Sequence, residues 1–173
     1  MVYTHYWAYQ PDSTEFTAAF PQLLADAHLI LASLSERGVA LAGPTGIGQP
    51  LLNESIIAFN GVRPNTGENF VLAPAAGSGL TEHTEAGEPF KLDYVQTRAL
   101  PYDLAVTAIL LRAHQLAPWS LTLASDGSWE QDWRAARDLL DDLFGTSPQL
   151  DALASLEVVR RGPYLLQLGA LSA

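Results

Sequence analysis

Arg98, Tyr102, Asp103 and Asp126 are the residues whose types and spacing could do chemistry. Three of them fall in one short segment, RALPYD, where a strand pattern gives way to a helix pattern. The fourth follows the next strand pattern, in Ser125-Asp126-Gly127. Such junctions gather exposed N–H groups and side chains around a potential ligand. A guanidinium, a phenol and two carboxylates there could bind a small polar ligand or perform acid–base work. The same residues also read as helix caps with one ion pair, and this reading is preferred because an Asp beside a helix start is an ordinary N-cap.

Other motifs carry less. Gly43 to Gly48 has the glycine spacing of a phosphate-binding loop, but Gln49 and Pro50 stand where a lysine and a hydroxyl are needed, and no helix pattern follows. Glu82, His83, Glu85 and Glu88 could hold a divalent metal, yet they lie in a glycine-containing polar stretch that predicts a solvated loop, so no metal is expected. His5, His28 and His114 show no metalloprotease spacing and read as packing or capping histidines. Ser78 sits in Gly-Ser-Gly without the strand and helix that a nucleophile elbow requires. A Ser-His-Asp triad needs no sequential proximity, and nothing in the sequence supports one. No cofactor is expected.

Elements must position these groups. Val2 to Tyr9 alternates as a strand with aromatics on both faces, which argues for cover on both sides by helices or a partner subunit. Tyr3, Trp7 and Tyr9, with Trp119, Trp129 and Trp133, could stack a sugar or base, but such residues more often fill a core or an interface. Asp12 or Ser13 caps a helical segment, with an Asp12–Glu15 capping box. Pro21 predicts that the main helix begins near Phe20 and ends at Gly38.

Short strands follow at Val39 to Ala42 and Ser55 to Phe59, the latter closed by an Asn60-Gly61 hairpin turn, and then at Asn69 to Ala73. Ala75 to Pro89 reads as a surface loop, and Lys91 to Thr97 as a half-buried strand. Pro101 opens a helix that is apolar nearly all round, with Arg112 and His114 in its last turn. A strand at Ser120 to Ala124 leads to a Ser128–Gln131 capping box and an amphipathic helix through Trp129, Trp133 and Leu140 to Gly145. The tail predicts a short helix near Leu150 to Leu156 and a strand at Tyr164 to Leu168.

The fold expected is a single α+β domain over residues 1–173, with a mainly antiparallel sheet of about five to seven strands and two to three packed helices. A chain of 173 residues, 48% of them apolar, can bury roughly 70% of its unfolded surface. The absence of cysteine excludes disulfides and thiolate zinc sites. The N-terminus has neither the basic nor the apolar region of a secretory signal, and no apolar run of about 20 residues reads as a membrane span, so a soluble cytoplasmic protein is expected. Nineteen acidic residues against nine basic ones give a net charge of −10, which repels nucleic acid and anionic lipid; neither is expected as a partner.

HYWAY, GVALAGPTGIGQP, IIAFNG, PYDLAVTAILL and SDGSWEQDWRAARDLL together resemble a group of uncharacterised bacterial and bacteriophage proteins, over roughly Tyr3 to Gly145. That group commonly carries a Lys-Thr pair before Pro-Tyr-Asp; this chain keeps Thr97 and Pro101-Tyr102-Asp103 but has Gln96 at the lysine position. The resemblance implies a fold and no activity.

Three functions follow as expectations. The first is a noncatalytic accessory or interaction protein that works through a protein partner or self-association, motivated by missing catalytic motifs, acidity and surplus aromatics. The second is a small enzyme or ligand-binding domain using Arg98, Tyr102, Asp103 and Asp126. The third is an acidic immunity or inhibitor protein that presents Glu130, Asp132, Asp138, Asp141 and Asp142 to a basic partner.

Overall fold

The computed structural model describes residues 2–75, 79–146 and 150–171. In chain order the elements are β1 (Thr4–Tyr9), α1 (Thr14–Glu36), β2 (Leu41–Ala42), β3 (Leu51–Asn53), β4 (Ile56–Gly61), β5 (Phe70–Leu72), β6 (Leu80–His83) and β7 (Pro89–Gln96), then α2 (Asp103–Leu116), β8 (Leu121–Ser125), α3 (Arg134–Phe144), α4 (Leu156–Val159) and α5 (Tyr164–Leu171). The fold is α+β, as the element patterns predict. Its strands form two antiparallel four-stranded sheets instead of one sheet of five to seven strands. The first has the order β6-β7-β1-β8, and in the second β4 pairs with β2, β3 and β5.

Strand β1 lies between β7 and β8 because both of its faces are apolar. Its register puts His5, Trp7 and Tyr9 on one face with Val95, Leu121, Leu123 and Ser125. That face meets the main core, where α2 is buried on nearly every side and packs between α1 and α3. The opposite face, through Ala8, Phe90 and Ala124, is covered by Val159 of α4 and by Ala154 and Leu166. The two-sided burial predicted for this strand therefore comes from within the chain.

Helix α1 departs from expectation. It begins at Thr14, capped by the Ser13 hydroxyl accepting from Phe16 N at 3.1 Å, and Pro21 lies in its interior. Phe16 and Phe20 sit one turn apart, both buried and edge-to-face at 6.1 Å. Burying two such rings contributes about 1.5–3 kcal/mol each, enough to offset the ~3 kcal/mol of an internal proline. Glu15 completes no capping box with Asp12; its carboxylate accepts from Trp119 N and Ser120 N at 3.0 and 3.1 Å, tying the helix start to the loop before β8. By length and composition α1 is the one described helix that could cross a membrane. Here its apolar stripe packs on α2, and its buried Asp26 is paired with Arg112 at 2.7 Å.

Asn60-Gly61 is not a turn but the end of β4. Gly61 pairs with Leu41, and an added Cβ there would lie 2.3 Å from Asn65 O, so close backbone approach selects this glycine. The Asn60 amide is spent on Pro44 O and Gly67 O. Within the stretch expected to be a loop, Leu80–His83 pairs with β7, and Ala76 to Ser78 lie outside the described residues.

Asp132 closes the turn before α3, accepting from Ser128 N at 2.7 Å in the role expected of Gln131, and the helix starts only at Arg134. In the tail, the stretch predicted as a helix, Leu150 to Leu156, is extended where Leu153 bridges Leu123 in parallel, and a single helical turn follows at Leu156–Val159. The predicted final strand is the helix α5: Pro163 precedes it and its carbonyl accepts from Leu166 N and Gln167 N, a proline position that favours helix starts over strands.

Candidate functional site

The four junction residues do not converge. Arg98 sits in a turn where it and Ala99 both have φ of +54°, and its guanidinium donates outward to Thr66 O at 3.3 Å. Tyr102 is fully buried, and its hydroxyl donates to Glu68 O at 2.7 Å. Its ionisation is pushed up by burial, then by the charges of Asp103 and Glu68, with Arg98 opposing. Asp126 pairs with the end of β1: its Oδ2 accepts from Thr4 N at 2.9 Å, and its own N–H donates to Thr4 O at 2.9 Å.

Asp103 opens α2 and joins a different set of residues. Its Oδ1 accepts from Thr97 Oγ1 and lies 2.7 Å from His5 Nε2. On the other side of the ring, His5 Nδ1 lies 2.9 Å from Ser125 Oγ. That oxygen also accepts from Gly127 N at 2.9 Å and from Trp133 Nε1 at 3.0 Å.

A serine oxygen has two lone pairs, and these two N–H donors occupy both. Its own proton must therefore point at His5 Nδ1, which makes that nitrogen the acceptor and leaves the proton on Nε2, facing the carboxylate. The hydrogen-bond inventory thus assigns the tautomer. Tyr3 and Trp133 stack edge-on to the His5 ring at 5.1 and 5.4 Å. Burial, then the charges of Asp103, Asp132 and Asp126, push the Tyr3 phenol up.

Asp103, His5 and Ser125 thus stand in the order of an acyl-transfer triad, which sequence spacing hid, but with the two ring nitrogens exchanged: the serine is on Nδ1 and the carboxylate on Nε2. Their environment is a poor one for that chemistry. His5 is fully buried, and the Ser125 oxygen carries two donors that withdraw the lone pairs a nucleophile would use. The network joins β1, the start of α2, the end of β8 and the start of α3. The helix caps and the ion pair expected of these residues are not what their side chains do: Asp103 accepts from Thr97 and lies against His5, Asp126 accepts from the backbone of β1, and Arg98 donates to Thr66 O. The partners His5, Thr97, Ser125 and Trp133 were not foreseen. The available signal was a histidine on the same strand face as Trp7 and Tyr9, since an inward-facing imidazole requires polar partners.

The other singled-out groups are dispersed. His114 Nδ1 donates to Leu121 O at 2.8 Å, and burial lowers its pKa. Ser78 lies outside the described residues. Glu82 and His83 belong to β6, with Glu85 and Glu88 beyond its end; among the described residues, no group of three or more His, Asp or Glu side chains is placed to hold a metal. The acidic face of α3 is interleaved with arginine: Arg37–Asp142 at 3.1 Å, with Arg134–Asp138 and Arg137–Glu130 at 3.9 Å.

The second site is a surface. Strand β6 is the outer strand of its sheet, and all four of its residues are exposed. Beside it a groove of about 440 Å³ is lined by Trp7, Val71, Leu80, Leu92 and Tyr94, with Glu68 and Asp93 among its polar residues. Leu80 and Tyr94 are 60% and 47% exposed. No protein-family model, no curated protein and no solved structure matches the chain. Any functional reading therefore rests on these two sites.

Proposed function

We propose that this chain is a noncatalytic interaction protein of bacterial or bacteriophage origin, working in the cytoplasm through a protein contact on the β6 edge and its adjoining groove. The observation that carries the reading is the exposure of Leu80 and Tyr94 beside an open strand edge. Exposed apolar side chains flanking a groove mark interaction sites, and an outer strand offers unpaired backbone groups to a partner. The dispersal of Arg98, Tyr102 and Asp126 onto backbone carbonyls and amides supports the same reading, because those groups are already spent.

The test is site-specific photocrosslinking in the cells that make the protein. A benzophenone side chain replacing Leu80 or Tyr94 is expected to give discrete protein adducts, and one replacing the exposed Glu36 on α1 is not. Equal adducts from all three positions, or none from Leu80 and Tyr94, would remove the reading.

A second reading, a small hydrolytic enzyme, is favoured by the Ser125–His5–Asp103 connectivity alone. A fluorophosphonate probe tests it directly. Labelling at Ser125 that is lost in Ser125→Ala would establish a reactive serine, and an unlabelled wild-type protein would end that reading.

A further inference from the structure

The apolar face that carries Leu80 and Tyr94 continues beneath the end of the chain. We propose that α4 and α5 are a releasable cover over it, opening as a unit while the sheet and the main core stay folded. In its regulatory consequence, that the chain restrains its own protein contact, the inference rests on the interaction reading above.

The strand register puts exposed and covered residues on one sheet face. Leu80 pairs with Leu92, Leu92 with Ala8, and Ala8 with Thr122; in the next row Tyr94 pairs with Tyr6, and Tyr6 with Ala124. Side chains directly opposite one another in antiparallel strands share a face. Each row therefore runs from an exposed residue, Leu80 or Tyr94, to a covered alanine. The cover is made by Val159 of α4 and Leu166 of α5, packed with Ala8, Phe90 and Ala124.

That cover is lightly held. Helix α4 is a single turn and α5 has eight residues. The buried cluster beneath them, Ala8, Phe90, Ala124 and Val159, includes two alanines and is separate from the main core on the opposite face. Among the described residues no ion pair joins either helix to the rest of the chain, and Arg161 is paired within the segment, with Glu157 at 2.7 Å. Leu165 and Leu168 are exposed, so α5 is apolar on its outer side too, and water does little to fix its orientation. On the covered face, Thr122 is fully buried and its hydroxyl has no partner among the described residues, a deficit that admitted water would relieve.

Segments with few buried apolar contacts open at lower free energy than the core. Release of α4 and α5 would add Ala8, Phe90 and Ala124 to the patch already formed by Leu80 and Tyr94, and a larger apolar patch is a stronger protein contact. In the closed state these helices occupy the part of the face onto which a partner seated on Leu80 and Tyr94 would extend.

Native-state amide exchange on the intact chain tests the release. The Val159 amide donates to Ser155 O and the Leu165 amide to Trp119 O at 2.8 Å, so the two report on α4 and on the docking of α5. They are expected to share one opening, populated about a hundredfold more than the opening that frees Ile109 in α2. Val159→Ala trims the one α4 side chain in the cluster. It is expected to populate the opening about tenfold further, to leave Ile109 unchanged, and to raise the crosslinking yield from benzophenone at position 80 or 94 several-fold.

Exchange of Val159 and Leu165 only through the opening that also frees Ile109 would overturn the cover, and crosslinks persisting beside that result would leave the surface reading standing. A more populated opening in Val159→Ala with unchanged or reduced crosslinking would overturn the regulatory role. An observed opening with no crosslinks from either position, in either protein, would defeat the interaction reading and the regulation together, while the release itself would stand.

Discussion

His5 Nε2 lies 2.7 Å from Asp103 Oδ1, joining the first strand to the first residue of the central helix across 98 positions of sequence. The contact does two things. It gives a fully buried imidazole an acceptor for its proton, and it holds a carboxylate at the start of α2, where the helix dipole favours negative charge. Tyr102, which precedes the helix, offers no side-chain cap, so Asp103 is the acidic group in the first turn. Thr97 bonds the same oxygen and so fixes the carboxylate to the end of β7.

Replacing Ser125 with alanine tests whether this network is structural. The substitution removes the acceptor for Gly127 N and Trp133 Nε1 and the donor to His5 Nδ1. Each buried group left unsatisfied costs about 1–3 kcal/mol, so Ser125→Ala is expected to lose about 3 kcal/mol in urea denaturation. A loss under about 0.5 kcal/mol would show that the hydroxyl is not needed for folding, as expected of a residue kept for chemistry.

Asp103 separates charge from hydrogen-bonding capacity. Asn at this position keeps an oxygen that can accept from Thr97 and His5, whereas Ala leaves both donors unpaired. Asp103→Asn is expected to cost about 1 kcal/mol and Asp103→Ala about 3 kcal/mol, measured by the same denaturation. Equal losses would mean that the negative charge, not the acceptor, holds the junction.

Asp26 and Arg112 form a buried pair at 2.7 Å, with side chains 4% and 13% exposed. Gln22 donates to the same carboxylate, and the guanidinium lies 4.4 Å over the Phe144 ring. Removing one partner strands the other, so Asp26→Ala is expected to cost about 3–5 kcal/mol. The double variant Asp26→Leu with Arg112→Met should be far less destabilised than the sum of its single changes, because no charge is left buried. Additive losses in a double-mutant cycle would show that the two residues act independently.

These networks mark where sequence reading stopped. Strand β1, the buried α2 and the stop at Gly145 were legible because alternation, all-round apolarity and a glycine with φ of +63° are local signals. The interior Pro21 carries a local break signal that the burial of Phe16 and Phe20 outweighs, and that burial depends on tertiary packing. Asn60-Gly61 carries a strong hairpin signal, but here the approach of Asn65 decides the role of the glycine. At the site, Asp103 was found from its junction position. His5 and Ser125 were not, since their link depends on the pairing of β1 with β8 across 120 residues.

Gly127 and Tyr3 supply a packing test of the same junction. A Cβ on Gly127 would lie 2.2 Å from the Tyr3 hydroxyl oxygen, closer than real side chains come. Gly127→Ala is therefore expected to destabilise by about 1–3 kcal/mol. Adding Tyr3→Phe deletes the nearest clashing atom and leaves the ring carbon at 3.0 Å, so the double variant should recover part of that loss. No recovery would place the strain in the turn itself.

Alkaline pH tests the burial of the phenols. Burial raises the ionisation of both Tyr3 and Tyr102 above the ordinary value of 10, with neighbouring carboxylates adding to the effect. Above pH 10 the unfolded chain releases these protons while the folded chain keeps them, so the unfolded state binds fewer protons and stability falls with rising pH. The contribution is complete below pH 10 and is lost as pH climbs through the raised folded values. Burial raises Tyr164 as well, so more than one phenol contributes to the slope, and Tyr3→Phe should lower it by about 1.4 kcal/mol per pH unit. Urea denaturation between pH 8 and 11, run on both proteins, measures the two slopes, and a wild-type profile flat through pH 11 would mean that neither phenol is held protonated by the fold.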